Sequence, residues 1–307
     1  MKASNDRDTD EYTVSPSQTN VLSPQVPSST VSVDLAALSH TGKVRPNNED
    51  HYLVVRFNRA MQTLLTNLPE GLIPLRAEEA GYGLVVADGM GGMAGGEVAS
   101  GLAIRTLLNL ALATPDWILM GGVPEIERLM QRTAERYRRI DAALREEAQA
   151  DPNLAGMGTT MTVAVSLGAD LILGHVGDSR AYLFRRGALH LLTRDHTLVR
   201  ELMERGIVRP EQTVQHPFRH VLTRALGMGK GGGEAEVQRV SLADEDQILL
   251  CTDGLTDMVD SPTIAAILQS SASATDACQA LVELALQKGG KDNVTVALAR
   301  YRFVREP

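Results

Sequence analysis

Apolar side chains in this chain recur with two spacings, and the alternation between them marks out a layered fold. Beginning at Val31, short runs rich in Val, Leu and aromatic residues, 31–38, 52–57 and 82–87, have the composition of β-strands. Residues 58–81 interrupt them with Asn67, Pro69, Gly71, Pro74 and Gly81, a stretch longer than a hairpin turn that predicts an insertion over a sheet edge or a site mouth. The spacing then becomes helical over 97–113 and again over 124–149. The second stretch opens with Pro in its first turn and lines up Ile126, Leu129, Tyr137, Ile140 and Leu144 on one face. Four more strands, 159–167, 171–176, 181–185 and 189–192, are separated by connectors too short for a helical crossover, which requires antiparallel pairing.

The remaining pattern is strand 237–242, strand 247–252, helices 263–269 and 275–287, and strand 293–303. Strands grouped with strands and helices with helices predict an α+β domain over 31–305, a four-layer αββα sandwich of two antiparallel sheets flanked by helix pairs. Between the meander and strand 237–242, residues 196–233 form an irregular excursion punctuated by Gly and Pro, with one short helix at 198–205; loops of this kind gate access to sites. Residues 1–30, rich in Ser, Thr, Pro, Asp and Asn, bury too little apolar surface to offset the entropy of ordering and are expected to be a disordered tail.

Composition narrows the function. Across 307 residues the net charge is −8, which argues against a nucleic-acid binder, because neutralising a phosphodiester backbone takes surplus Lys and Arg. The two cysteines, Cys251 and Cys278, lie apart in apolar runs and are expected to be reduced core residues. The start of the chain lacks a basic segment leading into an apolar run. The most hydrophobic stretch, 104–120, is broken by Arg105, Asn109, Pro115 and Asp116, short of a membrane span. A cytoplasmic monomer with no membrane and no nucleic-acid partner is expected.

Chemistry concentrates in five acidic motifs, each where a strand meets a turn: Asn48-Glu49-Asp50, Ala87-Asp88-Gly89, Gly177-Asp178-Ser179, Thr252-Asp253-Gly254 and Lys291-Asp292-Asn293. One Asp-Gly is an ordinary turn. Five such motifs brought together would repel one another unless cations neutralised them. The candidate ligands are Glu49, Asp50, Asp88, Asp178, Asp253, Asp292 and the Gly89 carbonyl; this all-oxygen set selects Mg2+ or Mn2+ over Zn2+.

With Arg45-Pro46-Asn47 ahead of the first motif, Met90-Gly91-Gly92 after the second, Gly156-Met157-Gly158-Thr159-Thr160 in the middle and Asp292-Asn293 near the end, the chain resembles the protein phosphatase 2C family over roughly 33–303. The likeness is to the bacterial branch that opposes Hanks-type Ser/Thr kinases. It implies hydrolysis of phosphoserine and phosphothreonine on proteins by a water activated by two to three ions. Under the resemblance, Asp88 bridges two ions, Asp253 and Asp292 complete one site, and Glu49, Asp50 and the Gly89 carbonyl hold the other. Asp178 and Asp253 bind a third ion, Arg45 grips the substrate phosphate, and 196–233 is a flap. The expected partners are phosphorylated proteins, Ser/Thr kinases and their substrates among them. Met90 stands where eukaryotic members carry a histidine proposed as general acid, so no proton donor is assigned. His175 and His196 read as core or helix-start residues.

Two rival readings compete. The glycine runs 89–94 and 227–232 mimic a dinucleotide fingerprint, yet neither is followed by the second parallel strand and acidic residue which that fold needs. A catalytically silent relative that binds phosphoproteins would have little use for so many carboxylates.

Overall fold

The computed structural model describes residues 30–69, 71–73, 75–91, 95–113, 123–213, 216–229 and 232–304. Of the expected tail, 1–29 lies outside the described residues. Two antiparallel sheets carry the molecule. In the first, strand order is β1 (Thr30–His40), β11 (Val294–Val304), β10 (Gln247–Cys251), β7 (Arg180–Arg185) and β8 (Ala188–Leu191). The second runs β2 (Asp50–Gln62), β3 (Arg76–Met90), β5 (Met161–Leu167), β6 (Asp170–Val176) and β9 (Glu236–Ser241), with the short β4 (Gly158–Thr159) also paired to β3.

Helices α1 (Gly95–Ala113) and α2 (Val123–Ala150) cover the second sheet; α5 (Ser261–Ser270) and α6 (Ala274–Gln287), preceded by the single turn α4 (Asp253–Thr256), cover the first. Another short helix, α3 (Leu198–Glu204), lies in the flap segment.

The period of two along each central strand divides its side chains between layers. On β3, Leu84 and Val86 enter the core between the sheets while Val85 and Ala87 pack under α1 and α2. On β10, Ile248 and Leu250 face the other sheet, and Leu249 and Cys251 face the helices. Both faces are covered, so these strands read as unbroken apolar runs. Full burial of each such Leu, Ile or Val stabilises the fold by roughly 1.5–3 kcal/mol. Between the sheets the Tyr301 hydroxyl bonds Ser166 Oγ at 2.9 Å, so the tyrosine's polar end is satisfied inside an apolar layer. Both cysteines are buried and free.

Residues 58–81 differ from the insertion expected. The ladder of β2 and β3 continues without interruption from Asp50↔Asp88 to Gln62↔Arg76, so much of the stretch is the far end of a long hairpin. Its outer rungs carry exposed Asn58 and Arg76 in place of buried apolar residues, which erased the strand pattern. Strand 159–167 is also interrupted at Thr160, with a consequence at the site described next.

Candidate metal centre

The acidic motifs meet at one end of the sandwich. Asp88 sits near the end of β3, and its register partner on β2 is Asp50, so two carboxylates stand directly opposite each other on neighbouring strands. From the other sheet, β10 delivers Asp253 at the first turn of α4, and β11 is preceded by Asp292. Asp178 occupies the tight connection between β6 and β7, where Gly177 takes a φ of 113° that favours glycine. Arg45, Glu49, Asp88, Gly89, Asp178, Asp253 and Asp292 all line one cleft of about 880 Å3. Asp50, 4% exposed, lies buried beside them and does not form the cleft wall.

Hydrogen bonds fix the backbone that presents these acids. Thr160, the residue that breaks the strand, donates its N–H to the Asp88 carbonyl at 2.9 Å and accepts the Asp88 N–H on Oγ1 at 3.0 Å. Thr252 Oγ1 donates to Asp50 Oδ2 at 2.8 Å, tying the neighbour of Asp253 to β2. Asn293 accepts the Glu49 N–H on Oδ1 at 2.7 Å, and its Nδ2 donates to the carbonyls of Thr41 and Asn47, both at 2.8 Å. One amide therefore locks the loop bearing Arg45 and Glu49 to the residue after Asp292.

The glycines after Asp88 and Asp253 have a different cause from the sharp turn the sequence suggests. Neither has a positive φ. A Cβ at Gly89 would stand 2.0 Å from the Gly96 carbonyl oxygen, and one at Gly254 would stand 1.9 Å from that of Asn293. Each glycine lets two backbones close on the site.

Electrostatics register the convergence. Burial pushes the Asp88 carboxyl well above its ordinary range, and Asp50, Asp253, Asp178 and Asp292 push it further. Asp178 rises chiefly through burial and then through Asp253. Burial drives Asp50 to about 7, against hydrogen bonds from Thr295 and Thr252. Among the described residues Asp50 Oδ1 is buried without a hydrogen-bond partner, and Asp178 is only 9% exposed. A cluster of mutually repelling acids with an unmet oxygen fits divalent cations, and the oxygen-only donors fit Mg2+ or Mn2+.

Arg45 Nη2 donates to Asp292 Oδ2 at 2.7 Å, which sets a half-exposed guanidinium on the cleft lip. Three further cleft residues escaped the sequence reading. His220 places Nδ1 3.3 Å from Asp253 Oδ2 and Nε2 3.3 Å from Asp257 Oδ2, and Arg219 Nη2 lies 3.3 Å from the same Asp257 oxygen. Asp257 was detectable as the residue four positions after Asp253, on the same side of a helical turn. His220 and Arg219 come from the irregular flap segment, where no spacing signals them. His175 and His196 are buried and stacked with ring centroids 5.0 Å apart, away from the cleft lining.

No two strands among the described residues pair in parallel, which removes the dinucleotide-binding reading. Nor is any described helix long and apolar enough to cross a membrane.

Known proteins give the same picture. Residues 77–294 match the family described as Protein phosphatase 2C. The chain is 37% identical over 215 residues to the Serine/threonine phosphatase stp of Listeria monocytogenes, covering 70% of this chain and 82% of that protein. It is 40% identical over 236 residues to the Serine/threonine protein phosphatase PstP of Mycobacterium tuberculosis, covering 75% of this chain and 43% of that one. The crystal structure of the M. tuberculosis phosphatase PstP/Ppp superposes with a TM-score of 0.70 at 34% identity, over 88% of this chain and 99% of that one. A structure of the PstP catalytic domain in complex with two manganese ions gives a TM-score of 0.69 at 34% identity, over 89% and 100%. With its acidic strand ends gathered in the order and places described above, this chain belongs to the protein phosphatase 2C family.

Proposed function

We propose that the chain removes phosphate from phosphoserine and phosphothreonine side chains of proteins, using two to three Mg2+ or Mn2+ ions. The observation that carries this reading is the meeting of carboxylates from five separate segments in one cleft, with the buried Asp50 Oδ1 behind them lacking a hydrogen-bond partner among the described residues. Asp88, Glu49, the Gly89 carbonyl, Asp253 and Asp292 would hold two ions, with Asp50 behind them, and Asp178 with Asp253 a further one. When bound, such ions act as Lewis acids and make water a nucleophile at neutral pH.

The protein's own groups supply the rest. Arg45 can donate two parallel hydrogen bonds to phosphate oxygens through its planar fork, and its bond to Asp292 already holds it at the lip. Thr160 and Asn293 keep the acids at fixed separations, so little reorganisation accompanies the reaction. The open cleft, about 880 Å3, suits a phosphorylated side chain presented on a protein surface. We place the chain in the cytoplasm as a monomer, acting on Ser/Thr kinases of the Hanks type and on their substrates, as the family likeness suggests.

The test is hydrolysis of a phosphothreonine peptide with and without Mn2+, comparing wild type with Asp88→Asn. The expected result is Mn2+-dependent turnover that falls on the order of a hundredfold or more in the variant. Equal inertness of both proteins would favour the silent phosphoprotein-binding relative, and equal activity would displace the assigned site.

A further inference from the structure

Asp178, His220 and Asp253 each bring one donor atom to a common point, all within 4.8 Å of one another. The cluster lies at the neck between two hollows. The main cleft of about 880 Å3 and a smaller cavity of about 250 Å3 bordered by Arg180, Asp195 and Thr197 share Asp178, Arg219, His220, Asp253 and Asp257 in their walls. Asp178 is nine-tenths buried and lines both hollows at this neck. A carboxylate buried to this extent is costly to charge unless a cation faces it.

We infer that His220 Nδ1 is a ligand to the ion held by Asp178 and Asp253, so that the flap segment itself closes that site. This rests on the metal-centre reading above and adds to it a nitrogen donor from outside the acidic motifs.

The imidazole is placed for the task at both ends. Nδ1 lies 3.3 Å from Asp253 Oδ2, and Nε2 lies 3.3 Å from Asp257 Oδ2. A metal-bound histidine ordinarily turns its second nitrogen to a carboxylate, which fixes the tautomer and raises the basicity of the donor. Here Asp257 is that carboxylate. Arg219 Nε also approaches Nε2, at 2.5 Å, an arrangement that goes with a proton on Nδ1 directed at Asp253. With an ion at Nδ1 the ring proton would sit on Nε2, facing Asp257 in place of the Arg219 contact.

Two consequences follow. A site with one imidazole favours Mn2+ over Mg2+ more than an all-oxygen site does. Occupancy also ties residue 220 of the flap to the ends of β6 and β10, so the ion orders the segment that borders the cleft.

Pulsed electron paramagnetic resonance of the full chain loaded with Mn2+ reads this directly, because a coordinated imidazole imprints a 14N coupling on the manganese signal. The expected result is a 14N coupling in wild type that disappears in His220→Ala and in His220→Gln, together with loss of one bound Mn2+ by calorimetry. Asp257→Asn should weaken that ion about tenfold while keeping the coupling. Hydrogen exchange over 216–222 should slow on adding Mn2+ to wild type and not to His220→Ala. Full Mn2+ binding with no 14N coupling, or a coupling that survives both His220 substitutions, overturns the assignment to His220 and leaves the metal centre standing. No Mn2+ binding at all overturns the metal centre itself.

Discussion

A backbone packed where a Cβ would stand leaves a position no choice of side chain. A Cβ at Gly254 would stand 1.9 Å from the Asn293 carbonyl oxygen, so Gly254→Ala must push α4 and the residues ahead of β11 apart. It should cost on the order of 2–4 kcal/mol, read as a lower urea midpoint with an unchanged slope. At Arg45 the charge matters less than its shape. Arg45→Lys keeps the cation and loses the fork, so KM for a phosphopeptide should rise about tenfold with kcat changed far less. The acids Asp88, Asp178 and Asp253 were legible in the sequence because each follows an apolar run, Asp292 because it precedes one, and because the motifs repeat. Their glycines were legible only as turn formers, since what excludes a side chain there comes from a segment distant in sequence. His220 left no trace, because an irregular segment has no period against which a residue can stand out.

The stacked pair on β6 and ahead of α3 shows what a strand and a helix start can bury together. His175 accepts or donates at Thr162 Oγ1 (2.9 Å) and at the Arg194 carbonyl (3.1 Å), and His196 accepts the Gly177 N–H at 3.1 Å with Glu236 near its other nitrogen. Burial, then His196, lower the His175 pKa from 6.5 to about 4, and burial lowers that of His196. The folded protein thus resists a proton that the unfolded chain takes up readily. Stability is fully present above pH 6.5 and is lost as pH falls from there toward 4, by on the order of 3 kcal/mol for His175 alone. The buried acids of the cleft, whose carboxyls are raised, change in the opposite sense over this range, so the His175 contribution is read as a difference: from pH 7 to pH 5 the urea midpoint of wild type should fall relative to that of His175→Gln. Strands buried on both faces and helices with one apolar stripe were readable as elements. The long β2–β3 hairpin was not, because pairing register is set between chains of backbone amides, and its solvated rungs carry arginine and asparagine that no apolar alternation betrays.

Across the whole molecule, three apolar cores separate four layers, and the acidic cleft opens where both sheets end. That placement couples the fold to its ions. Bringing like charges together opposes folding, and cations that bind only the folded form reverse the opposition. Mn2+ at a hundred times its dissociation constant should add about 2.7 kcal/mol. The melting temperature should therefore climb with Mn2+, fall back on chelation, and respond weakly in Asp88→Asn. The layered architecture followed from the alternation of short strands and paired helices. Which strand neighbours which did not, because β11 enters between β1 and β10 from a distance no local pattern spans.

That late insertion has a temporal meaning. Asn293 joins residues 41, 47 and 49 to a strand made more than two hundred positions later, and β1 has β11 as its partner in the sheet. While the chain is still emerging from a ribosome, Asp50 and Asp88 can already pair across β2 and β3, but the loop bearing Arg45 and Glu49 has nothing to tie it to Asp292. Stalled nascent chains ending before Val294 should take up no Mn2+, so the protein is born inert and acquires its chemistry only when β11 slides between β1 and β10.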